Sequence, residues 1–183
     1  MDLDINAIIR NVLNAEAQAL LKLALRVDSS FEDAASLLHS CEGKVVVIGM
    51  GKCSHIAQKM SATFASTGTR TQFVHPAEAI HGDLGYIDAQ DVALVLSNSG
   101  ETEEITALLP NLKSRSIPFI ALTGNAESTL ARQADIVLDI AFEGEADPLN
   151  LVPTTSTTAM LAVGDALAVA LMELNSFTRE DFA

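Results

Sequence analysis

Five short apolar runs, separated by helix-like segments, constrain the fold of this chain more than any other feature. The runs are rich in Val, Ile, Leu and Phe; they are KVVVIGM (44–50), TQFVH (71–75), DVALVLSN (91–98), PFIALTG (118–124) and DIVLDIAF (135–142). Continuous apolarity is typical of parallel strands whose two faces are both covered by helices. We therefore predict an α/β fold, a doubly wound five-stranded parallel sheet with right-handed crossovers and a flavodoxin-like arrangement.

Helical spacing of apolar residues marks the segments around these strands. Residues 3–26 place their apolar residues on one helical face, and a second helix is expected to start near Ser29 or Ser30. Further helices are predicted at 54–66, 105–115, 127–134 and 153–174. Pro110 is expected to kink the helix that contains it or to lie near its first turns, since proline breaks helix interiors.

The 183 residues show no linker and no internal repeat. Residues 1–183 are therefore predicted to form one domain, with 1–42 as an N-terminal helical segment packed on it. The net charge is −13, from 11 basic and 24 acidic residues, and such a field repels nucleic acid and anionic lipid. No nucleic-acid or membrane partner is expected.

Three further features predict a cytoplasmic protein. Cys41 and Cys53 lack metal-ligand spacing and indicate a reducing compartment. The first residues carry acids before any base and no continuous apolar core, which does not fit a signal peptide. The apolar segment 157–174 is interrupted by Asp165, and we expect a buried helix there rather than a membrane span.

In a doubly wound sheet, ligands bind beyond the carboxyl ends of the strands. Five polar segments are expected there: GMGKCS (49–54), HPAEAIHGD (75–83), SNSGET (97–102), TGNAES (123–128) and EGEADPLN (143–150). GMGKCS does not fit a nucleotide motif. Ser54 stands where the dinucleotide fingerprint has its third glycine, and Cys53 stands where a P-loop has Ser or Thr.

SNSGET has the composition of a phosphate-binding turn. Ser97, Ser99 and Thr102 can offer hydroxyl groups, and successive backbone N–H groups around Gly100 can form an anion-binding concavity. The positive end of a helix beginning near Thr102 adds to this. The alternative, that Thr102 only caps that helix, remains open from the residues alone.

Four segments in order carry a resemblance to a known family: GMGK, HPAEAIHGDLG, SNSGET and PTTSTTAMLAVGDALAVAL. The chain resembles the SIS (sugar isomerase) domain and, more narrowly, the D-arabinose 5-phosphate isomerase family. Relatives typically continue into a loop with a histidine and a tandem pair of CBS domains, whereas this sequence ends at Ala183. Whether it is a stand-alone SIS protein or part of a longer chain stays open.

The resemblance implies an aldose–ketose isomerase that interconverts D-ribulose 5-phosphate and D-arabinose 5-phosphate through an enediol(ate). It would feed Kdo synthesis, and thereby lipopolysaccharide or capsule. Two alternatives remain: a non-catalytic SIS sensor that binds a phosphosugar, and an isomerase of another sugar phosphate. No cofactor is expected, because the chemistry needs only a proton shuttle and a stabilised oxyanion.

The family's catalytic positions fall on Lys52, Glu104 and Glu145, where the two glutamates share base and ring-opening roles without an assignment between them. Each also has a purely structural interpretation: a solvated lysine, a glutamate at a helix start, and one member of an acidic loop. Substrate-binding positions are expected at Gly51, Cys53, Ser54, His81, Ser97, Asn98, Ser99, Gly100, Thr102, Thr154 and Ser156. Relatives usually have serine in place of Cys53, so altered phosphate affinity is expected here.

His75 and His81, near Asp83, are the candidates for a divalent metal site. A bound metal would more readily inhibit than assist this chemistry, and structural roles for both histidines are equally compatible with the sequence. The resemblance also implies a homo-oligomer, a dimer or tetramer with sites completed by neighbouring subunits. The apolar N-terminal helices agree with that expectation.

Overall fold

The five apolar runs form one parallel sheet in the computed structural model of the chain, which describes residues 3–182. The strands are β1 (Val45–Gly49), β2 (Thr71–Val74), β3 (Val92–Leu96), β4 (Phe119–Thr123) and β5 (Ile136–Asp139). Their order is β2-β1-β3-β4-β5, and every neighbouring pair is parallel. The strand order reverses between β1 and β3, which confirms the predicted doubly wound fold.

Eight helices and one 3₁₀ turn connect or flank the strands within residues 3–182. They are α1 (Ile5–Ala24), α2 (Ser29–His39), α3 (Lys52–Ser66), α4 (Pro76–Ile80), the 3₁₀ turn Asp83–Tyr86, α5 (Glu103–Thr106), α6 (Leu109–Ser114), α7 (Thr129–Gln133) and α8 (Thr155–Leu174). The predicted domain included residues 1, 2 and 183, which lie outside the described residues.

Two details differ from the sequence-based expectation. The single helix expected over 105–115 is divided into α5 and α6, because Pro110 fits only the first turn of a helix and a new helix therefore begins at Leu109. The short helix α4 was not predicted. It begins at Pro76, which is well suited to a first helical position.

Helices cover both faces of the sheet, as continuous apolar strands require. Val45 and Val47 pack on one face with α2, α3 and α8, whereas Val46 and Ile48 pack on the other face with α4 to α7. Long and apolar, α8 could cross a membrane by length and composition. It packs against α1, α2 and α3, however, and buries one face in the core, as expected of a core helix.

A buried ion pair closes the amino end of the sheet. Asp91 is 2% exposed and its carboxylate accepts hydrogen bonds from the Lys44 ammonium at 2.7 Å, the Lys44 amide and the Asp88 amide. Burial would raise the pKa of Asp91, but these hydrogen bonds outweigh it and hold the pKa below its ordinary value of 3.8.

We expect Asp91→Asn to lower the free energy of unfolding by about 3 kcal/mol at pH 7, because it leaves Lys44 without its carboxylate partner. The wild-type carboxylate contributes stability above pH 3.8 and loses it as the pH falls through the lowered pKa. The difference between the two proteins should therefore shrink in acid. Urea unfolding measures it, with the exposed Asp88→Asn as control. Equal stability of Asp91→Asn and wild type at pH 7 would contradict this role.

Candidate active site

A cavity of about 550 Å³ opens at the carboxyl end of the sheet, where the strand order reverses. Four of the five predicted segments meet there, those that follow β1, β3, β4 and β5, together with the start of α8. The residues that line it are Met50, Lys52, Cys53, Asn98, Ser99, Thr102, Gly124, Phe142, Glu143, Gly144, Glu145, Asn150, Leu151, Pro153, Ser156 and Thr157. The predicted position of the site therefore agrees with the position of a real cavity.

The SNSGET turn is shaped from within by its first serine. Ser97 is 1% exposed; its Oγ accepts the Gly100 N–H at 3.1 Å and lies 2.9 Å from the Thr102 hydroxyl oxygen. Gly100 adopts a left-handed conformation, with φ +66°, which favours glycine. Ser97 and Gly100 thus set the shape of the turn and do not line the cavity.

The outer residues of the same turn face the cavity. Asn98, Ser99 and Thr102 line it. The Asn98 side-chain oxygen is buried beside Gly124, where a Cβ atom would come within 2.5 Å of it. The cavity wall therefore presents one amide and two hydroxyl side chains from SNSGET, a set suited to a phosphate or sugar oxygen.

The turn after β1 contributes a cation and a thiol. Lys52 is exposed at the cavity and forms no ion pair among residues 3–182. Cys53 also lines the cavity, with its Sγ atom 3.7 Å from the Met160 sulfur, and burial raises the pKa of its thiol. Gly51 starts the helix with φ +59°, and the buried Ser54 donates its hydroxyl to the Gly51 carbonyl. Neither of these two lines the cavity.

Glu145 is held against the start of α8. Its Oε2 atom accepts hydrogen bonds from the Thr154 amide at 2.9 Å, the Thr154 hydroxyl at 3.1 Å and the Ser156 amide at 3.1 Å. Burial would raise the pKa of this carboxyl, but the hydrogen bonds from Ser156 and Thr154 outweigh it and hold the pKa below its ordinary value. Glu145 is therefore ionised at neutral pH, and its Oε1 atom makes no hydrogen bond among the described residues.

Two further predicted site residues are not part of the cavity wall. Glu104 is half-buried in the first turn of α5, and Thr154 is bonded to Glu145 and to the Ala146 amide. Neither lines the cavity. The roles predicted for these two residues remain predictions. For Glu104 to act in proton transfer, either α5 must move toward the cavity or the substrate must reach beyond the cavity wall toward α5.

The two candidate metal-binding histidines also lie outside the cavity lining. His75 is half-buried and packs edge-on against Phe73, with ring centroids 6.4 Å apart, whereas His81 is exposed after α4. Residues 3–182 contain no group of three or more His, Cys, Asp or Glu side chains placed to hold a metal ion. The geometry thus offers little support for a metal centre at these histidines.

Sequence reasoning did not single out several residues of the cavity wall. They are Met50, Gly124, Phe142, Glu143, Gly144, Asn150, Leu151 and Pro153. Most lie in segments that were expected at this edge, so the strand ends indicated the segments but not the individual side chains.

A doubly wound sheet with a cavity lined by hydroxyl groups at its reversal point defines a ligand-binding type of α/β domain, since this edge is where such folds bind their ligands. The model of the SIS domain family matches residues 37–170, and the chain belongs to this family.

Within the family, the chain is similar to the arabinose 5-phosphate isomerases KdsD. It is 53% identical to that of Escherichia coli strain K12 and 52% identical to that of Pseudomonas aeruginosa, in each case over 174 residues, or 95% of this chain and 53% of the relative. The chain thus spans about half the length of the curated relatives it matches. It is also 46% identical to a protein of Escherichia coli CFT073 whose structure was solved in complex with arabinose 5-phosphate, with a TM-score of 0.96 and coverage of 100% of this chain and 97% of that one.

Proposed function

We propose that this chain is an aldose–ketose isomerase that interconverts D-ribulose 5-phosphate and D-arabinose 5-phosphate. The observation that carries the proposal is that Lys52 and Glu145 line one cavity with two hydroxyl residues of the SNSGET turn, Ser99 and Thr102. The arabinose 5-phosphate complex of the similar Escherichia coli CFT073 protein and the name of the KdsD relatives support this choice of substrate.

The cavity divides into two chemical regions under this proposal. Ser99 and Thr102 hold the phosphate with their hydroxyls and neighbouring backbone N–H groups. The sugar carbons C1 and C2 then lie toward Lys52 and Glu145. A carboxylate removes the C2 proton of the open-chain aldose, and the C1=C2 enediolate forms with its negative charge on O1. A proton then passes from O2 to O1, and return of the first proton to C1 gives the ketose.

Lys52 supplies the positive charge that the reaction needs. The enediolate carries negative charge on an oxygen, and the ammonium group stabilises it more strongly in a partly closed cavity than in water. Glu145 and Glu104 remain the candidates for the proton-transferring carboxylate, and Glu145 is the one of the two that lines the cavity. No cofactor takes part in the proposed reaction.

The proposal extends to the setting of the enzyme. We place it in the cytoplasm, where its product would enter Kdo and lipopolysaccharide synthesis, as the name of the KdsD relatives suggests.

A homo-oligomer is the proposed assembly. Its support is the apolar stripe that α1 leaves exposed at Ile5, Ile9 and Leu13, a surface that a second copy of the chain would cover.

Turnover of ribulose 5-phosphate by the purified chain tests the proposal directly. We expect wild type to form arabinose 5-phosphate and Lys52→Met to lose about 10²-fold or more in kcat/KM, because the cation at the cavity is removed. Product formation can be followed by chromatography. The exposed Lys113→Met, on α6 and away from the cavity, is the matched control and should keep wild-type turnover.

Two outcomes would count against the isomerase. Binding of arabinose 5-phosphate without turnover would favour a phosphosugar sensor. Turnover of another sugar phosphate in preference to the pentose phosphates would favour an isomerase of different specificity.

A further inference from the structure

The loop of residues 143–152, here called the site loop, carries Glu145 into the cavity wall without regular secondary structure. Asn150 bends this loop back on itself. Its backbone has φ +55°, a left-handed conformation, and its Oδ1 atom accepts the Glu145 N–H at 2.7 Å. A non-glycine residue in that conformation is uncommon, and asparagine is among the residues that tolerate it best.

Asp147 fixes the backbone on both sides of Asn150. Its carboxylate accepts the amides of Leu149 and Leu151 at 2.9 Å each and that of Val152 at 2.8 Å. The Asn150 amide donates in turn to the Asp147 carbonyl at 3.1 Å. The left-handed conformation of Asn150 is therefore held by four hydrogen bonds of the loop itself.

Glu145 is fixed at two points, its backbone amide and its side-chain carboxylate. Asn150 holds its backbone amide, while the start of α8 holds its carboxylate through Oε2. Gly144 keeps room for this contact, because a Cβ atom there would lie 3.0 Å from the Asn150 Oδ1 atom. A carboxylate whose main chain and side chain are both fixed needs little reorganisation when substrate arrives.

We propose that Asn150 is a positioning residue for the proposed isomerase: its side-chain oxygen sets the place of Glu145 in the cavity wall, and with it the place of the carboxylate. The inference rests on the proposed function for its effect on turnover. Its effect on the Glu145 carboxyl does not depend on any substrate.

Asn150→Gly separates the side chain from the backbone conformation. Glycine adopts a positive φ freely, so the loop can keep its course while the acceptor for the Glu145 amide is lost. Asn125→Gly is the matched control. The Asn125 side chain likewise accepts a backbone N–H, that of Glu127 at 3.0 Å, but it is exposed and does not line the cavity.

The first measurement is the titration of the Glu145 carboxyl by ¹³C NMR, with its signal identified by its loss in Glu145→Gln. The other titratable side chains that line the same cavity are Lys52, Cys53 and Glu143. They are unchanged in these variants, so their charges do not account for a difference in the Glu145 titration. We expect Asn150→Gly to raise the pKa of Glu145 toward its ordinary value of 4.5, because the carboxylate leaves its donors on α8. Asn125→Gly should leave it as in wild type.

The second measurement is steady-state turnover of ribulose 5-phosphate. We expect Asn150→Gly to lower kcat about fivefold, the size of one lost hydrogen bond, with a smaller change in KM. An unchanged Glu145 titration in Asn150→Gly would overturn the inference. If wild type itself shows no turnover, the proposed function fails while the titration still decides this point. Should Asn150→Gly not fold, the same titration of Asp147→Ala decides it, since an unmoved Glu145 signal there contradicts the proposed positioning.

Discussion

Glu145→Gln is expected to lower kcat for ribulose 5-phosphate by about 10²- to 10⁴-fold, the usual contribution of a general base. Glutamine can still accept the amides of Thr154 and Ser156, so α8 keeps its cap and the protein keeps its fold. What is lost is the charge that would take up the proton. Because the pKa of Glu145 is held low, the wild-type carboxylate is ionised throughout the neutral range, and the loss should be independent of pH from about 6 to 8.

Two further variants sharpen that result. Glu103→Gln changes an exposed glutamate in the first turn of α5 and should leave turnover unchanged, whereas Glu104→Gln changes its half-buried neighbour. A loss in Glu104→Gln as large as in Glu145→Gln would support both glutamates as a catalytic pair and require α5 to approach the substrate. Full activity in Glu145→Gln would remove this residue from the proton transfer.

The fold was largely predictable because β1, β3 and β4 are continuous apolar runs that are buried throughout. Val45 to Ile48 are buried on both faces, and no other element satisfies four consecutive buried β-branched residues so simply. The position of the site followed from the topology, since parallel strands bring their carboxyl ends to one edge. The division into α5 and α6 was harder to predict, because Pro110 was compatible with both a kink and a new helix start.

The roles of individual side chains were less predictable than their location. SNSGET was expected to present all of its hydroxyls to phosphate, yet Ser97 is buried and organises the turn, while Ser99 and Thr102 face the cavity. Ser54 similarly bonds the backbone of its own turn. The backbone conformation of a tight turn decides which hydroxyl is buried and which faces the cavity. The order of residue types in the turn does not predict that conformation.

The hydrogen bonds that hold the candidate site together were not predictable from the sequence. Glu145 and Ser156 are far enough apart in the chain that only the packed loop brings the carboxylate to the start of α8. Asn150 bonds the amide of Glu145, only five residues away in the same loop, but this contact depends on the positive φ of Asn150, which the residue order does not indicate. The loop is rich in acidic and small residues, and its sequence predicted that it lies at the edge of the site. The sequence did not predict which hydrogen bonds the loop forms.

Gly100→Ala is expected to abolish measurable binding of arabinose 5-phosphate and to destabilise the fold by about 2–4 kcal/mol. The new Cβ atom would lie 2.0 Å from the Ser128 Oγ atom and 2.4 Å from the Ser128 Cβ atom, and Ser128 is fully buried as the cap of α7. The residue would also be strained at φ +66°. Isothermal titration with the sugar phosphate and thermal unfolding measure the two effects.

Gly85→Ala separates this steric effect from a general cost of adding a methyl group. Gly85 has no positive φ, and a Cβ atom added there would meet no atom within 4 Å, so the variant should match wild type in both binding and stability. If Gly100→Ala is as stable as Gly85→Ala and still binds, the turn must relax away from Ser128 without losing its donors. Phosphate affinity would then depend on the hydroxyls of Ser99 and Thr102 rather than on the fixed backbone of the turn. If binding is lost while Gly85→Ala binds normally, the close packing of Gly100 on Ser128 is what holds those donors in place.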